Sequence, residues 1–331
     1  MRVAAAPSDV ARCFTRDLPA LCLVDAHAWS DQAGLLRATL RDLAARRRRA
    51  LFLAPTAAEA ARLRELTPPH CAVHEILPLL LERRNKVWKE HALILAGADQ
   101  LDALLLSRLL GRLGPWTGLM LVGDPALPPP PRPGSPFHDL VQCQVAPVLR
   151  LAPTPDGDSD LPAAAARILA GRSPAWGGAV RRLTCERIES LPLALAQACG
   201  RLRENFAPEE VQVLTSAQEG PAGSNELQAV LARRDPRRGR TPVPLNPVLT
   251  CEQARSRRWE AVVLVAHEEA ELDRDLLYLA ITRARRALVV VGQEEAVDRA
   301  IRHVSPLRRR RTLLAGWLGE RSRPPGLEAR A

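Results

Sequence analysis

Aromatic side chains are scarce in this chain: they make up 3% of its 331 residues, with a single tyrosine. A surface that stacks successive bases on aromatic rings is therefore poorly supplied. Paired cysteines are lacking as well. Cys13, Cys22, Cys71, Cys143, Cys185, Cys199 and Cys251 show no C-x-x-C spacing, which speaks against both a zinc site and a disulfide framework. Cys71 and His74 form one C-x-x-H, and without a second pair nearby no metal is expected there. No apolar run reaches the roughly 18 residues of a membrane-spanning helix. Residues 1–24 interrupt their apolar positions with Arg2, Asp9, Arg12, Arg16 and Asp17, so they do not read as a secretory signal. A cytoplasmic location without a membrane partner is the default expectation.

What is present points to a soluble globular protein, with 47% hydrophobic and 25% charged residues. The length suggests two domains of about 150 residues each. The net charge is +10, and nearly all of the 47 basic residues are arginine. Such an excess fits a partner with a phosphate backbone; arginine-rich codon usage, in a chain also rich in Ala, Pro and Leu, would produce the same excess. Arginine clusters fall at 46–49, 233–240, 255–258 and 308–311.

Short apolar runs alternate with amphipathic stretches. LCLV at 21–24, ALFLAP at 50–55, HALILAG at 91–97 and GLMLVG at 118–123 read as strands. Between them, GLLRATLRDLAARR, AAEAARLREL and LDALLLSRLLGRL carry apolar residues at helical spacing. Strands without polar alternation, separated by helices, predict a parallel sheet covered on both faces. Residues 1–145 are thus expected to form one such domain, closed by the proline-rich loop at 125–136, whose prolines lack amide donors. A second set, PVLRL, LPAAAARILAG, LPLALAQACGRLREN, VQVLT, NELQAVLARR, AVVLVA, ELDRDLLYLAITRARR and ALVVVG, predicts a second α/β domain over 146–300. Residues 301–331 read as a basic tail, with its terminus RSRPPGLEARA expected to be disordered.

DLLYLAITRARRALVVVG at 275–292 carries Tyr278, Ala280, Thr282, Arg283 and Ala284 in the order Y-x-A-x-T-R-A, followed by Arg285 and an apolar strand. It resembles motif VI of the superfamily 1 DNA helicases, of the RecD and UvrD kind. Other segments resemble that family in the same order along the chain: Ala54, Pro55 and Thr56 look like motif Ia, AVHEIL at 72–77 the short segment after it, and V-G-D-P with a downstream G-S-P-F at 119–137 motif III. VQVLTSAQEGPAGSNELQ at 211–228 is similar to the RecD stretch of the second domain. The resemblance implies an α/β fold of two RecA-like three-layer domains with parallel sheets.

Measured against that family, the residues that handle ATP are missing. Phosphoryl transfer needs backbone amides that cradle phosphate, a Lys, a magnesium-binding hydroxyl and an acidic pair. The phosphate loop falls on Ala26, His27, Ala28, Trp29, Ser30, Asp31, Gln32 and Ala33, with Gln32 in place of the Lys and Ala33 in place of the hydroxyl. The acidic pair of motif II falls on Ala96 and Gly97, and the glutamine of motif III on Leu127. Pro155, Asp156 and Gly157 stand where the family has F-R-Q, and motif V keeps only Thr250 and an aromatic, Trp259. Arg283 survives. Neither the SH3-like insert nor the N-terminal domain of longer RecD-like relatives is expected in this protein.

The resemblance therefore implies an inactivated RecD-like protein that acts as a DNA-binding or scaffolding subunit in DNA repair or recombination. No cofactor and no metal are expected. The partners would be single-stranded DNA, bound without sequence preference, and an active helicase or nuclease. Positions similar to DNA contacts in the family are Pro55, Thr56, His74, Thr215 and Thr250. Two alternatives stay open: an ATP-dependent DNA helicase with an unorthodox site, which would need ATP and magnesium, and a protein-interaction module without a DNA role.

Overall fold

A computed structural model describes residues 4–69, 71–81, 88, 90–153, 159–232, 246–309, 314 and 316. The chain divides into two compact units, one holding the residues up to Thr154 and again from Pro306, the other Pro155–Ser305.

In the first unit the elements are β1 (Ala4–Ala5), α1 (Pro7–Asp17), β2 (Leu21–Asp25), α2 (Gln32–Ala45), β3 (Ala50–Ala54), α3 (Ala57–Leu66), β4 (Val73–Glu75), α4 (Ile76–Leu81), β5 (Ala92–Ala96), α5 (Ala103–Leu110), β6 (Gly118–Gly123), α6 (Pro136–Cys143) and β7 (Val148–Leu151). The strands form a sheet in the order β1-β7-β2-β6-β5-β3-β4, with every pair parallel. Period-two alternation sends successive side chains to opposite faces. Cys22, Val24, Phe52, Ile94 and Met120 point to one face with Phe14 of α1, Leu35 and Leu43 of α2 and Leu63 of α3. Leu23, Leu53, Leu93, Leu95 and Leu121 point to the other with Ile76 of α4, Leu105 and Leu109 of α5 and Phe137 of α6. Each buried leucine contributes roughly 1.5–3 kcal/mol, which is why these strands tolerate no polar alternation.

The second unit runs α7 (Leu161–Leu169), β8 (Val180–Thr184), α8 (Leu191–Leu202), β9 (Val211–Thr215), α9 (Ser224–Ala232), β10 (Leu249–Thr250), β11 (Trp259–Ala266), α10 (Arg274–Arg283), β12 (Ala284–Gly292) and α11 (Glu294–Arg302). Its parallel sheet has the order β10-β9-β11-β12-β8. Val211, Val213, Val263, Val265 and Val291 pack on Leu191, Leu195 and Cys199 of α8, while α7, α10 and α11 lie on the other face. Both units are thus three-layer α/β structures with parallel sheets, as the strand and helix alternation predicts and as the RecA-like resemblance implies.

Four local differences from the sequence reading have physical causes. PVLRL, expected to open the second set, is β7 and pairs with β1 and β2 of the first sheet; an apolar run says that it is buried, not against what. Helices α1, α4, α6 and α11 and strands β1, β4, β8 and β10 were not anticipated, β8 because Arg181 and Arg182 interrupt a short edge strand. The motif VI helix stops at Arg283, because residues from Ala284 are drawn into the ladder with β11. From the expected tail, Arg308 donates to the carbonyls of Pro125, Ala126 and Leu127 in the proline-rich loop. Prolines leave carbonyls without a neighbouring amide donor, and the guanidinium supplies one. The 233–240 cluster, residues 155–157 and the C-terminal RSRPPGLEARA lie outside the described residues.

Candidate functional site

In open α/β sheets ligands bind beyond the carboxyl ends of the strands, and there the first sheet gathers its polar side chains. Asp25 ends β2 and Asp124 follows β6; the two strands are neighbours, with Asp25 opposite Gly123. Both carboxylates are buried. The His27 ring lies between them, Nδ1 3.1 Å from Asp124 Oδ1 and Nε2 3.5 Å from Asp25 Oδ1. Arg150 Nε donates to Asp25 Oδ2 at 3.1 Å, and the Ala126 amide donates to Asp124 Oδ1 at 2.8 Å. The His27 pKa is raised above its ordinary value, first by the hydrogen bond with Asp124 and then by the nearby negative charges, against the opposing effects of burial and Arg150.

Helix α2 begins just beyond this cluster. Its N-cap is Asp31, whose carboxylate accepts the Gly34 amide at 2.6 Å. A Cβ at position 34 would overlap that carboxylate, which would have to move aside. Trp29 is buried in the same turn. The Gln32 amide donates to the Ala26 carbonyl at 3.3 Å, and its oxygen accepts from Arg62 at 2.9 Å. Arg62 in turn pairs with the buried Glu59 on α3. Ala96 closes β5 as a buried residue, Gly97 takes a left-handed φ of +71°, and Leu127 is buried, its carbonyl accepting from His138 at 3.1 Å.

The residues resembling DNA contacts fall into two groups, one in each unit. Pro55 and Thr56 leave β3 where it pairs with β4, and His74 lies on β4 opposite Leu53. His74 is exposed, Thr56 half-buried and Pro55 buried; the Thr56 hydroxyl caps α3 by accepting the Glu59 amide at 3.2 Å. Thr215 and Thr250 are partners across β9 and β10. Thr215 is buried and donates to the Ala222 carbonyl at 2.7 Å, while Thr250 accepts the Gln253 amide at 3.2 Å. Arg283 is buried, with its guanidinium donating to the Thr282 hydroxyl and the Arg255 carbonyl. Arg46, Arg47 and Arg49 are exposed in the connection that enters β3 at its amino end. They are therefore separated from Thr56 by the length of a five-residue strand, roughly 17 Å.

The family of UvrD-like helicase C-terminal domains matches residues 247–291, which include Tyr278 and Arg283. The chain has a helicase-like fold. Its structure is similar to the PRRSV helicase with a TM-score of 0.50 and 14% identity, over 87% of this chain and 55% of the viral one. The chain thus spans little more than half the length of that helicase. A Pif1 helicase from Candida albicans gives a TM-score of 0.49 and 12% identity, over 91% of this chain and 97% of its own. A structure of Pif1 helicases described as unwinding forked double-stranded DNA gives 0.48 and 10%, over 97% of both chains. No curated protein matches the chain. Among the described residues no helix is long and apolar enough to cross a membrane.

Sequence reasoning passed over Asp25, His27 and Asp124 as a group. The local signal was the D-x-H at the end of LCLVD together with the aspartate of V-G-D-P. The two segments are far apart in sequence and meet only because β2 and β6 are paired.

Proposed function

We propose that this chain is a RecD-like helicase-fold protein that does not turn over ATP and that binds DNA, or scaffolds an active helicase or nuclease, in DNA repair or recombination. The observation that carries the first half is Asp31. Its carboxylate accepts the Gly34 amide at the start of α2, where backbone amides would otherwise be open to a phosphate oxygen. Asp25, Asp99 and Asp124 add negative charge at the same strand ends, and Trp29 adds bulk. Gln32, Ala33, Ala96, Gly97 and Leu127 bring no cation, no hydroxyl and no carboxylate. Phosphoryl transfer depends mostly on positioning and electrostatic stabilisation, and this set of side chains favours neither for a polyanion. The engaged guanidinium of Arg283 agrees with a structural role.

DNA binding rests on the net charge of +10 and on phosphate contacts that release counterions. In this reading Thr56 and His74 of the first unit face the nucleic acid with Pro55 behind them, and in the second unit Thr215 and Thr250 shape the ends of β9 and β10. With few aromatics, the preference among sequences is weak.

The test pairs DNA-stimulated phosphate release with thermal unfolding in millimolar Mg-ATP, on protein freed of contaminating ATPases. No turnover and no shift are expected, since a ligand that binds the native state must raise the melting temperature. Turnover abolished by Arg283→Ala would sink the inactive reading. Anisotropy with a labelled single strand should show affinity falling steeply with salt; no binding at low salt would leave protein scaffolding as the better account.

A further inference from the structure

The cluster at the ends of β2 and β6 contains an unsatisfied group. Asp25 Oδ1 is buried and makes no hydrogen bond, with His27 Nε2 3.5 Å away, and a buried carboxylate oxygen without a hydrogen bond is costly. It faces the His27 ring, and one oxygen each from Asp25 and Asp124 with one His27 nitrogen lie within 4.8 Å of one another. Two carboxylates and an imidazole converging at that separation are a ligand set for a divalent cation.

We propose that Asp25, His27 and Asp124 bind a divalent first-row transition metal ion, zinc or manganese in type, at the carboxyl edge of the first sheet. Neighbouring strands fix the two carboxylates, so the donors are held by the sheet rather than by a mobile loop. The Ala126 amide orients the Asp124 carboxylate, and Arg150 holds Asp25 by its far oxygen, leaving Oδ1 directed at the ring. Such outer contacts preset ligand geometry. Arg150 opposes a cation here, while the buried Asp99, which accepts the Asp124 amide at 3.4 Å, adds a carboxylate beside the ligand set. The nitrogen donor selects against magnesium, which prefers an octahedron of oxygens. Three protein donors leave positions for water, so the ion is accessible to a further ligand. The inference is independent of whether the chain binds DNA.

The experiment titrates chelator-treated full chain with zinc by calorimetry and with cobalt by visible absorption. One equivalent should bind, with weak or no binding of magnesium, and a chelator-reversible rise in melting temperature. His27→Gln is the deciding variant, because its ring is partly exposed and its loss leaves the Asp25–Arg150 pair intact. It should weaken zinc at least as much as the roughly 10–100-fold that loss of an outer-shell partner costs. Asp124→Asn should act in the same direction, and Cys13→Ser, which removes an exposed thiol, should change nothing. No binding by the native chain, or undiminished binding by folded His27→Gln, overturns the proposal. So does a thiolate-to-cobalt charge-transfer band that disappears in Cys13→Ser.

Discussion

Replacing Gly34 with alanine tests the turn that joins β2 to α2. A Cβ on Gly34 would overlap the Asp31 carboxylate, the group that caps the helix by accepting the Gly34 amide. Two magnitudes oppose one another. Alanine in place of glycine gains roughly 0.8–1.0 kcal/mol inside a helix, whereas losing an Asp cap costs about 0.5–2 kcal/mol. In the native background the net effect should therefore lie between about 0.5 kcal/mol of gain and about 1 kcal/mol of loss. With Asp31→Ala the cap is already gone, and Gly34→Ala should then show its helix gain alone. The expected coupling between the two positions is about 1 kcal/mol. For a unit of this size that is a difference of about 2–4 °C in melting temperature. Four proteins complete the cycle, and hydrogen exchange at the α2 amides reads this region separately, since a chain of two units need not unfold in one step. Effects that add to within about 0.5 kcal/mol would refute the contact between cap and glycine. They would also remove the main support for an obstructed phosphate site.

Three further outcomes follow from the same structure. Because the folded pKa of His27 is raised by Asp124 and Asp25, its contribution to metal-free stability should be fully present below the unfolded value near 6.5 and lost as pH rises through the folded value; melting curves of His27→Gln should lack that slope, and a parallel slope in the variant would assign it elsewhere. Arg283→Ala should destabilise the second unit by about 1–3 kcal/mol, because it strips a charged donor from the buried Arg255 carbonyl and Thr282 hydroxyl; unchanged exchange at the α10 amides would contradict this. Native thiol labelling should modify exposed Cys13 first and spare Cys22 and Cys251, whose pKa values burial pushes up to about 12; mass spectrometry of the labelled chain reads the order.

The strand-and-helix alternation was legible because β5 and β6 are buried along their whole length, and such burial favours an apolar run. Helix α3 begins and ends where its pattern predicts, since Thr56 caps it and capping is a local interaction. Partner choice among strands is not local. VLRL at 148–151 was readable as a strand, but only the ladder shows that it lies between β1 and β2. The end of the motif VI helix likewise depends on β11, whose Trp259 pairs with Ala284. For the site, the residues at 26–33, 96 and 97 were visible as departures from a phosphate-binding pattern. That Arg283 is engaged with Arg255 and that Asp25, His27 and Asp124 converge required the tertiary structure. A sequence records local periodicity and residue chemistry, whereas the carboxyl ends of β2 and β6, nearly a hundred residues apart along the chain, become one place only when the sheet closes.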